Sequence, residues 1–148
     1  MIDAIPKLRG APGKRLALAT ALFALPGVAM AAQFPAGRWY TEGDKAVIQI
    51  GPCGGALCGR IEHVLKADPG ASRTDVHNPD PALRGRPIEG LSVLTGLRAD
   101  GDRWLGEVYD PQTGKRYKAI VAPGPADTLK LTGCLWVLCQ THAWRRAQ

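Results

Sequence analysis

The sequence predicts an all-β protein, a small antiparallel, mostly up-and-down barrel of about eight strands with a long loop between strands 3 and 4. Three observations predict this fold. Short runs of alternating apolar residues recur, turn-forming residues separate them, and no convincing amphipathic helix follows the first 31 residues. A meander of this kind can close on itself and so remove both sheet edges. An open sandwich is the alternative arrangement.

The predicted strands follow one another along the chain. They cover residues 37–41, 46–50, 57–65, 91–97, 103–109, 115–121, 128–132 and 140–145. The intervening segment 66–90 contains four prolines and no strand periodicity. A long segment without secondary structure in a compact domain is usually functional or disordered. Its varied, charged sequence favours an ordered loop packed over one end of the barrel.

Residues 1–31 are predicted to be a cleaved signal peptide. Four basic residues precede an apolar run over 16–31, which ends in the small-residue pattern Ala29-Met30-Ala31. Pro26 interrupts the run, and the run is shorter than the ~20 residues that span a bilayer, which argues against a membrane anchor. Cleavage would leave residues 32–148 as a single barrel domain of an exported protein.

The formal net charge of +6 does not indicate a nucleic-acid-binding protein. Half of the basic excess lies in the predicted leader, and the remaining basic residues are interspersed with acidic ones. Export also takes the chain away from nucleic acid. The mature chain lacks a basic amphipathic helix, so no membrane insertion is expected after the leader is removed.

All four cysteines follow the leader, and each pair is separated by four residues: Cys53 with Cys58, and Cys134 with Cys139. Disulfides are the default in an oxidising compartment. Four cysteines allow three connectivities, and local pairing is preferred because it would join partners across a hairpin. A four-thiolate zinc site is the alternative, although its ligand pairs usually have two residues between them. Rings this short contribute only ~2 kcal/mol, so local bridges would mainly fix hairpin register.

Alternation along the predicted strands assigns apolar faces to the barrel interior. It predicts a candidate ligand-binding lumen lined by Trp39, His63, Tyr117, His142 and Trp144. An eight-stranded barrel is either filled by side chains or just wide enough for one small ligand. His63 and His142 would form half of a metal site if they met. A histidine on an apolar face is more often hydrogen-bonded in the core, so neither metal nor cofactor is expected.

The 66–90 loop holds a polar cluster with catalytic potential. Its members are Asp75, His77, Asn78 and Asp80. A carboxylate beside a histidine can orient it as a general base. The favoured interpretation is architectural, because Asn and Asp before Pro form turns with their own side chains. Arg84 or Arg86 would then tie the loop down through a carboxylate contact. No nucleophile motif is recognisable, and a non-enzymatic protein is expected.

Trp136 lies between Cys134 and Cys139 in the sequence Leu-Trp-Val-Leu. Such a constrained apolar loop is compatible with a lip of the barrel mouth, a contact with a partner, or ordinary packing.

Several motifs carry a resemblance to a known family. They are Gly37-Arg-Trp39, Gly51-Pro-Cys53, Leu57-Cys58-Gly59, the run from Asp75 to Gly90, Tyr109-Asp-Pro-Gln-Thr-Gly114 and Thr141-His-Ala-Trp-Arg145. In this order they resemble the uncharacterised bacterial family called domain of unknown function 2147, over nearly the whole mature chain. The resemblance implies a small β-barrel protein exported to the periplasm, or secreted, by a Gram-negative bacterium. It supplies neither an activity nor catalytic residues.

Gly37-Arg38-Trp39 and Arg145 also resemble a feature of lipocalin-like barrels. Those proteins carry Gly-x-Trp on the first strand and pack an arginine from near the last strand over the Trp, at the closed end. A guanidinium over an indole contributes roughly 0.5–2 kcal/mol. The resemblance implies that Arg145 covers Trp39.

The leading functional hypothesis is non-enzymatic binding of a small apolar or amphipathic ligand in or at the mouth of the barrel. The 75–86 loop would form its lid or rim. The alternative is a filled barrel that binds a periplasmic protein through this loop or the Trp136 loop. A hydrolase that uses Asp75 and His77 is a third hypothesis.

Overall fold

Eight antiparallel strands close into a barrel in the computed structural model, which describes residues 34–148. The predicted leader lies outside the described residues. Neighbouring strands follow chain order, and the last strand pairs with the first, which confirms the predicted closed up-and-down barrel. The strands are β1 (Gly37–Tyr40), β2 (Ala46–Cys53), β3 (Ala56–Val64), β4 (Ser92–Asp100), β5 (Arg103–Asp110), β6 (Lys115–Pro123), β7 (Thr128–Leu135) and β8 (Leu138–Arg146).

The connections divide the barrel into two unlike ends. At the end we call the closed end, β2–β3, β4–β5 and β6–β7 are joined by short turns, and the chain enters β1. The opposite end, the loop end, carries the 3₁₀ turn Glu42–Asp44, the long β3–β4 loop with a second 3₁₀ turn at Pro81–Leu83, and the tip of the β7–β8 hairpin. In the described part of the chain, no helix has the length and apolar character needed to cross a membrane.

Trp39 closes one end of the barrel. Its side chain is fully buried, and its indole Nε1 donates a hydrogen bond to the Pro35 carbonyl at 2.8 Å. The Phe34 ring packs edge-on against the rings of Trp39 and Trp104, with centroids 5.9 and 4.9 Å away. The Arg146 guanidinium lies 4.2 Å from the centroid of the Trp39 ring. This end is therefore plugged by aromatic rings and capped by a cation.

An arginine does cover Trp39, but the residue predicted for this contact was wrong by one position. Arg146 is the register partner of Trp39, whereas Arg145 is the partner of Tyr40, and directly opposed residues share a face. Arg145 accordingly lies 4.1 Å from the centroid of the Tyr40 ring and pairs with Asp44 at 2.9 Å. A one-residue change of register moves a side chain to the other face of the sheet.

Apolar side chains fill the interior next to the closed end. The residues least exposed to solvent include Trp39, Ile50, Leu94, Leu97, Val121 and Leu129. Complete burial of an aliphatic side chain contributes about 1.5–3 kcal/mol, so this cluster supplies much of the favourable energy of folding. The half of the barrel next to the closed end is therefore a packed core, and space for a ligand can lie only toward the loop end.

Both disulfides form within hairpins, as the sequence predicted. Cys53 pairs with Cys58 and Cys134 with Cys139, with Cα atoms 5.8 and 4.1 Å apart. The strands run further than predicted, because β2 extends to Cys53 and β7 extends past Cys134 to Leu135. Each bridge therefore ties two strands just before the hairpin turns, where it fixes register.

Candidate ligand-binding site at the barrel mouth

The long β3–β4 loop is fixed to the barrel wall by a buried carboxylate. Asp75 is fully buried, and its Oδ1 accepts a hydrogen bond from the Tyr109 hydroxyl at 2.6 Å. Its Oδ2 accepts from Asn78 Nδ2 at 2.8 Å and from the Arg86 guanidinium at 2.9 Å. On β5, Val108 pairs with Leu94 of the core and therefore shares its face. Tyr109 is the next residue along the strand and so points to the opposite face, outside the barrel. The loop thus packs on the outer wall of β5.

The remaining polar residues of the loop hold its own backbone together. Asn78 Oδ1 accepts from the Asp80 amide, and Asp80 Oδ1 accepts from Ala82 and caps the 3₁₀ turn. Arg84 Nε donates to the Asn78 carbonyl at 2.8 Å. These residues make the contacts that the architectural interpretation describes, and of the two arginines Arg86 makes the carboxylate contact.

Charges and hydrogen bonds keep Asp75 ionised in its buried position. Desolvation raises the pKa of Asp75. Hydrogen bonds from Tyr109, Asn78 and Arg86, together with the positive charge of Arg86, lower it by more. The pKa of Asp75 is therefore below its ordinary value. Burial and the hydrogen bond to Asp75 raise the pKa of Tyr109. The phenol therefore remains a donor to the carboxylate over the whole neutral range.

The loop also contacts the β5–β6 turn so closely that only glycine fits there. Gly114 has φ of +70°, and a Cβ added to it would overlap the His77 carbonyl oxygen. Gly101 has a similar φ of +65° with no atom within 4 Å of an added Cβ. The two glycines therefore share the same backbone requirement and differ in packing.

We expect Gly114→Ala to destabilise the protein more than Gly101→Ala. Both changes carry the strain of positive φ, about 1–3 kcal/mol, but only Gly114→Ala must also displace the loop. Urea unfolding measures both losses, and trypsin cleavage within 66–90 reports loop release. Equal losses for the two variants, with no faster cleavage of Gly114→Ala, would contradict the proposed contact.

A groove of about 980 Å³ lies at the loop end, beneath the segment 65–74, which we call the arch. Ala46, Ile61 and Ile88 contribute apolar surface to it, and Pro111 and Gln112 of the β5–β6 turn lie on its far side. Ile61 belongs to the buried core, and Ala46 and Ile88 pack against that core. The lining of the groove therefore includes side chains of the apolar core and of residues packed against it.

Polar contacts hold the arch in place. Asp68 accepts hydrogen bonds from Lys45 Nζ at 2.9 Å and from Gln112 Nε2 at 2.9 Å, so one carboxylate links the arch to two barrel turns. Hydrogen bonding to Lys45 and Gln112 and the charge of Lys45 lower the pKa of Asp68. Lys66 Nζ donates to the Gly43 carbonyl. Within residues 34–148, the lining residue Arg73 makes no side-chain hydrogen bond or ion pair.

The predicted lumen residues do not form one site. Trp39 and Trp144 are buried in the core, and Tyr117 is half-buried beside Trp136 in a separate depression. His63 is exposed, so its inward placement was wrong. His63 pairs with Val47 while Ile61 pairs with Ile48, which makes Glu62 an extra residue in a β-bulge. A bulge breaks strict alternation.

His142 is also placed differently from the prediction. On β8 it pairs with Leu131 and so lies on the face that alternation predicts. However, β1 ends at Tyr40, so no part of β1 lies beside this stretch of β8. The half-exposed imidazole hydrogen-bonds to the Glu42 carboxylate at the loop end. In the described part of the chain, no three His, Cys, Asp or Glu side chains are grouped to hold a metal ion.

The third hypothesis required Asp75 and His77 to meet. The Asp75 carboxylate instead bonds to Tyr109, Asn78 and Arg86, and His77 is exposed at the groove. The loop therefore does not orient His77 through Asp75.

Two features of the site were missed from the sequence. Tyr109 was recognised in a family motif but not as the partner of Asp75, since it lies 34 positions away. Residues 66–74 of the arch were assigned to the loop without a role, and Leu65 was assigned to the third strand, which in the structure ends at Val64. The signal in the sequence was modest, because it consists of the charged residues Lys66, Asp68 and Arg73 and of the apolar Val76 outside any strand.

The eight-stranded barrel is closed, Trp39 and Arg146 plug one end, and a groove lies at the other end. This is the architecture of a lipocalin-like protein. The chain belongs to the family described as "Uncharacterized protein conserved in bacteria (DUF2147)", whose profile matches residues 37–146. Disulfides and membership of a bacterial family are compatible with export.

A solved structure supports the same fold. The chain is similar to protein HP1028 from the human pathogen Helicobacter pylori, described as belonging to the lipocalin family, with a TM-score of 0.65. The identity is 22%, and the similarity covers 76% of this chain and 82% of that protein. No curated protein matches the chain.

Proposed function

We propose that this protein is a non-enzymatic periplasmic module that binds a small amphipathic ligand with an anionic head group at the barrel mouth. The observation that carries the proposal is the groove of about 980 Å³ beneath the arch, which joins apolar core residues to a charged rim. Its size falls within the range of about 300–1,000 Å³ usual for small-molecule sites. The lipocalin-like fold supports ligand binding as a class of function.

Packing of the barrel interior argues for the mouth rather than the deep lumen. Trp39, Leu94 and Leu129 have no exposed surface and occupy the space near the closed end. Toward the loop end, Leu65 and Val76 line the groove and remain 49% and 42% exposed. An alkyl chain laid along these side chains would remove their apolar surface from water, which is favourable.

Arg73 supports an anionic head group. Lys45 is paired with Asp68, and Lys66 is bonded to a carbonyl, whereas the Arg73 guanidinium remains available at the rim. A guanidinium binds a carboxylate in a two-pronged geometry that a hydroxyl cannot reproduce. A fatty-acid-like carboxylate therefore fits the groove better than the corresponding alcohol.

Leu65→Asp is expected to weaken binding of dodecanoate about tenfold, because it removes part of the apolar lining and adds a like charge. The measurement is displacement of 1-anilinonaphthalene-8-sulfonate fluorescence by dodecanoate. Leu105→Asp is the matched control, because Leu105 is 38% exposed and does not line the groove. Equal effects of both variants would contradict binding beneath the arch.

Arg73→Gln separates the head-group contact from the apolar one. We expect it to weaken dodecanoate about tenfold while leaving dodecanol unchanged, since only the carboxylate gains a charge-assisted hydrogen bond. Calorimetric titration of both compounds measures this. If the wild-type protein binds neither compound, the proposed function is wrong.

A further inference from the structure

The tip of the β7–β8 hairpin exposes an unusual amount of apolar surface. Trp136, Val137 and Leu138 are 95%, 92% and 76% exposed, and Leu135 beside them is 43% exposed. We call residues 135–138 the hairpin tip. Single exposed apolar residues are common, but a contiguous group of four at one protruding turn indicates an interaction surface.

The backbone of the tip is held in a conformation that its sequence disfavours. Leu135 pairs with Leu138, so Trp136 and Val137 form a two-residue turn, and Trp136 has φ of +56°. Hairpin turns with positive φ at the first central residue normally place glycine there. Cys134 and Cys139, bridged directly below, lock the register of the turn. The hairpin thus presents a tryptophan where an easier turn residue would serve folding alone.

Positively charged residues lie beside the tip. No acidic residue occurs between Thr128 and Arg146, and none occurs in β6. Arg116 and Lys118 of β6 line the same depression as Trp136, with Glu107 opposite Lys118 as the acidic residue there. An apolar tip with a tryptophan and adjacent cations matches the chemistry of a membrane surface with anionic headgroups, where Trp is enriched.

We propose that the hairpin tip inserts into the interface of a membrane that carries anionic lipids, with Arg116 and Lys118 contacting headgroups. The sequence had predicted no membrane insertion because the mature chain lacks a basic amphipathic helix. A disulfide-locked hairpin provides a different route that does not require a helix. The proposal does not depend on ligand binding, because the tip does not line the groove beneath the arch.

The test is sedimentation of the disulfide-bonded mature protein with vesicles of phosphatidylcholine and phosphatidylglycerol. We expect the protein to bind these vesicles and to bind pure phosphatidylcholine more weakly. Trp136→Ala should reduce binding about tenfold, and Lys118→Gln should reduce it about fivefold. Leu105→Ala is the control, because it trims another exposed apolar residue away from the tip and should leave binding unchanged.

Quenching by lipids brominated in the acyl chain locates the inserted group. Trp136 is almost fully exposed, whereas Trp39 and Trp144 are buried and the half-buried Trp104 packs against Phe34 at the closed end. Quenching should therefore be largely lost in Trp136→Phe. Protein that stays in the supernatant with both kinds of vesicle overturns the proposal. So does vesicle binding that Trp136→Ala leaves unchanged. A dimer of the wild-type protein in analytical ultracentrifugation that Trp136→Ala dissociates, without vesicle binding, would assign the tip to a second copy instead.

Discussion

Replacement of Trp39 by alanine is expected to remove about 3–5 kcal/mol from the free energy of unfolding. The indole is fully buried, donates to the Pro35 carbonyl, packs against Phe34 and lies beneath Arg146. The variant would leave a cavity at the closed end, and the Arg146 guanidinium would lose the indole ring over which it lies. Since domains of this size are stable by about 5–15 kcal/mol, the loss approaches the whole stability of a marginal fold. Urea unfolding followed by circular dichroism measures it.

Trp136→Ala provides the matched control for this prediction. It removes the same atoms from a side chain that is 95% exposed, so the unfolding midpoint should stay close to that of the wild-type protein. If the two variants were equally stable, the role of Trp39 in closing the barrel would be contradicted. Arg146→Met provides an intermediate test, because it removes the cation but keeps apolar cover over the ring. We expect a loss of roughly 0.5–2 kcal/mol from it.

The second large effect is expected from Asp75→Asn. This change keeps the shape of the side chain but removes the charge that faces Arg86. It also replaces one of the two acceptor oxygens by an NH2 group, which cannot accept hydrogen bonds from Asn78 and Arg86. Removing one partner of a buried pair costs about 3–5 kcal/mol, and we expect about 2–4 because Arg86 is partly exposed. Tyr109→Phe, which removes one hydrogen bond, should cost about 1–3 kcal/mol. Asp100→Asn, in an exposed pair with Arg103, should change little.

Acid should abolish this contribution. The pKa of Asp75 is lower in the folded protein than in the unfolded chain, so the unfolded chain takes up the proton first as pH falls. The stabilisation is therefore fully present above about pH 4 and is lost as pH falls through the folded pKa. The difference in unfolding free energy between wild type and Asp75→Asn should narrow below about pH 4. A difference that is independent of pH between 7 and 2 would contradict an ionised Asp75.

Local release of the loop gives a second readout for Asp75→Asn. Lys66, Arg73 and Arg84 are trypsin sites within residues 66–90, and detachment from Tyr109 should expose them before the barrel unfolds. Faster cleavage in 66–90 under native conditions is expected for Asp75→Asn and not for Asp100→Asn. Without that difference, the carboxylate would not be the attachment of the loop.

The barrel itself was predictable because its signals are local. Turn residues such as Asp100-Gly101 and Asp110–Gly114 mark the hairpins, and the alternation of Leu129 and Leu131 around Lys130 marks a strand face. The disulfides were predictable for the same reason, as each closes one hairpin. What alternation could not reveal was the bulge at Glu62, which placed His63 outside, or the register that selects Arg146 over Arg145. Both depend on pairing between strands.

The candidate site was less predictable because it is assembled from distant segments. The sequence singled out Asp75 and Arg86, but their partner Tyr109 comes from another strand. The arch is positioned by Asp68 through Lys45 and Gln112, contacts that no local pattern encodes. The candidate lumen residues were chosen only by the strand face on which they lie. The face does not indicate how far along the barrel axis a side chain lies. Trp39 lies in the plug, whereas His142 lies beyond the end of β1.

Ligand binding beneath the arch is tested most directly by mapping amide chemical shifts with NMR. Titration of the ¹⁵N-labelled protein with dodecanoate should shift amides of residues 65–74 and 87–89 and of the β5–β6 turn around Gln112. Amides of the closed end, around Trp39 and Arg146, should stay in place. Shifts confined to the hairpin tip or to the closed end, or no shifts at all, would contradict binding in the groove.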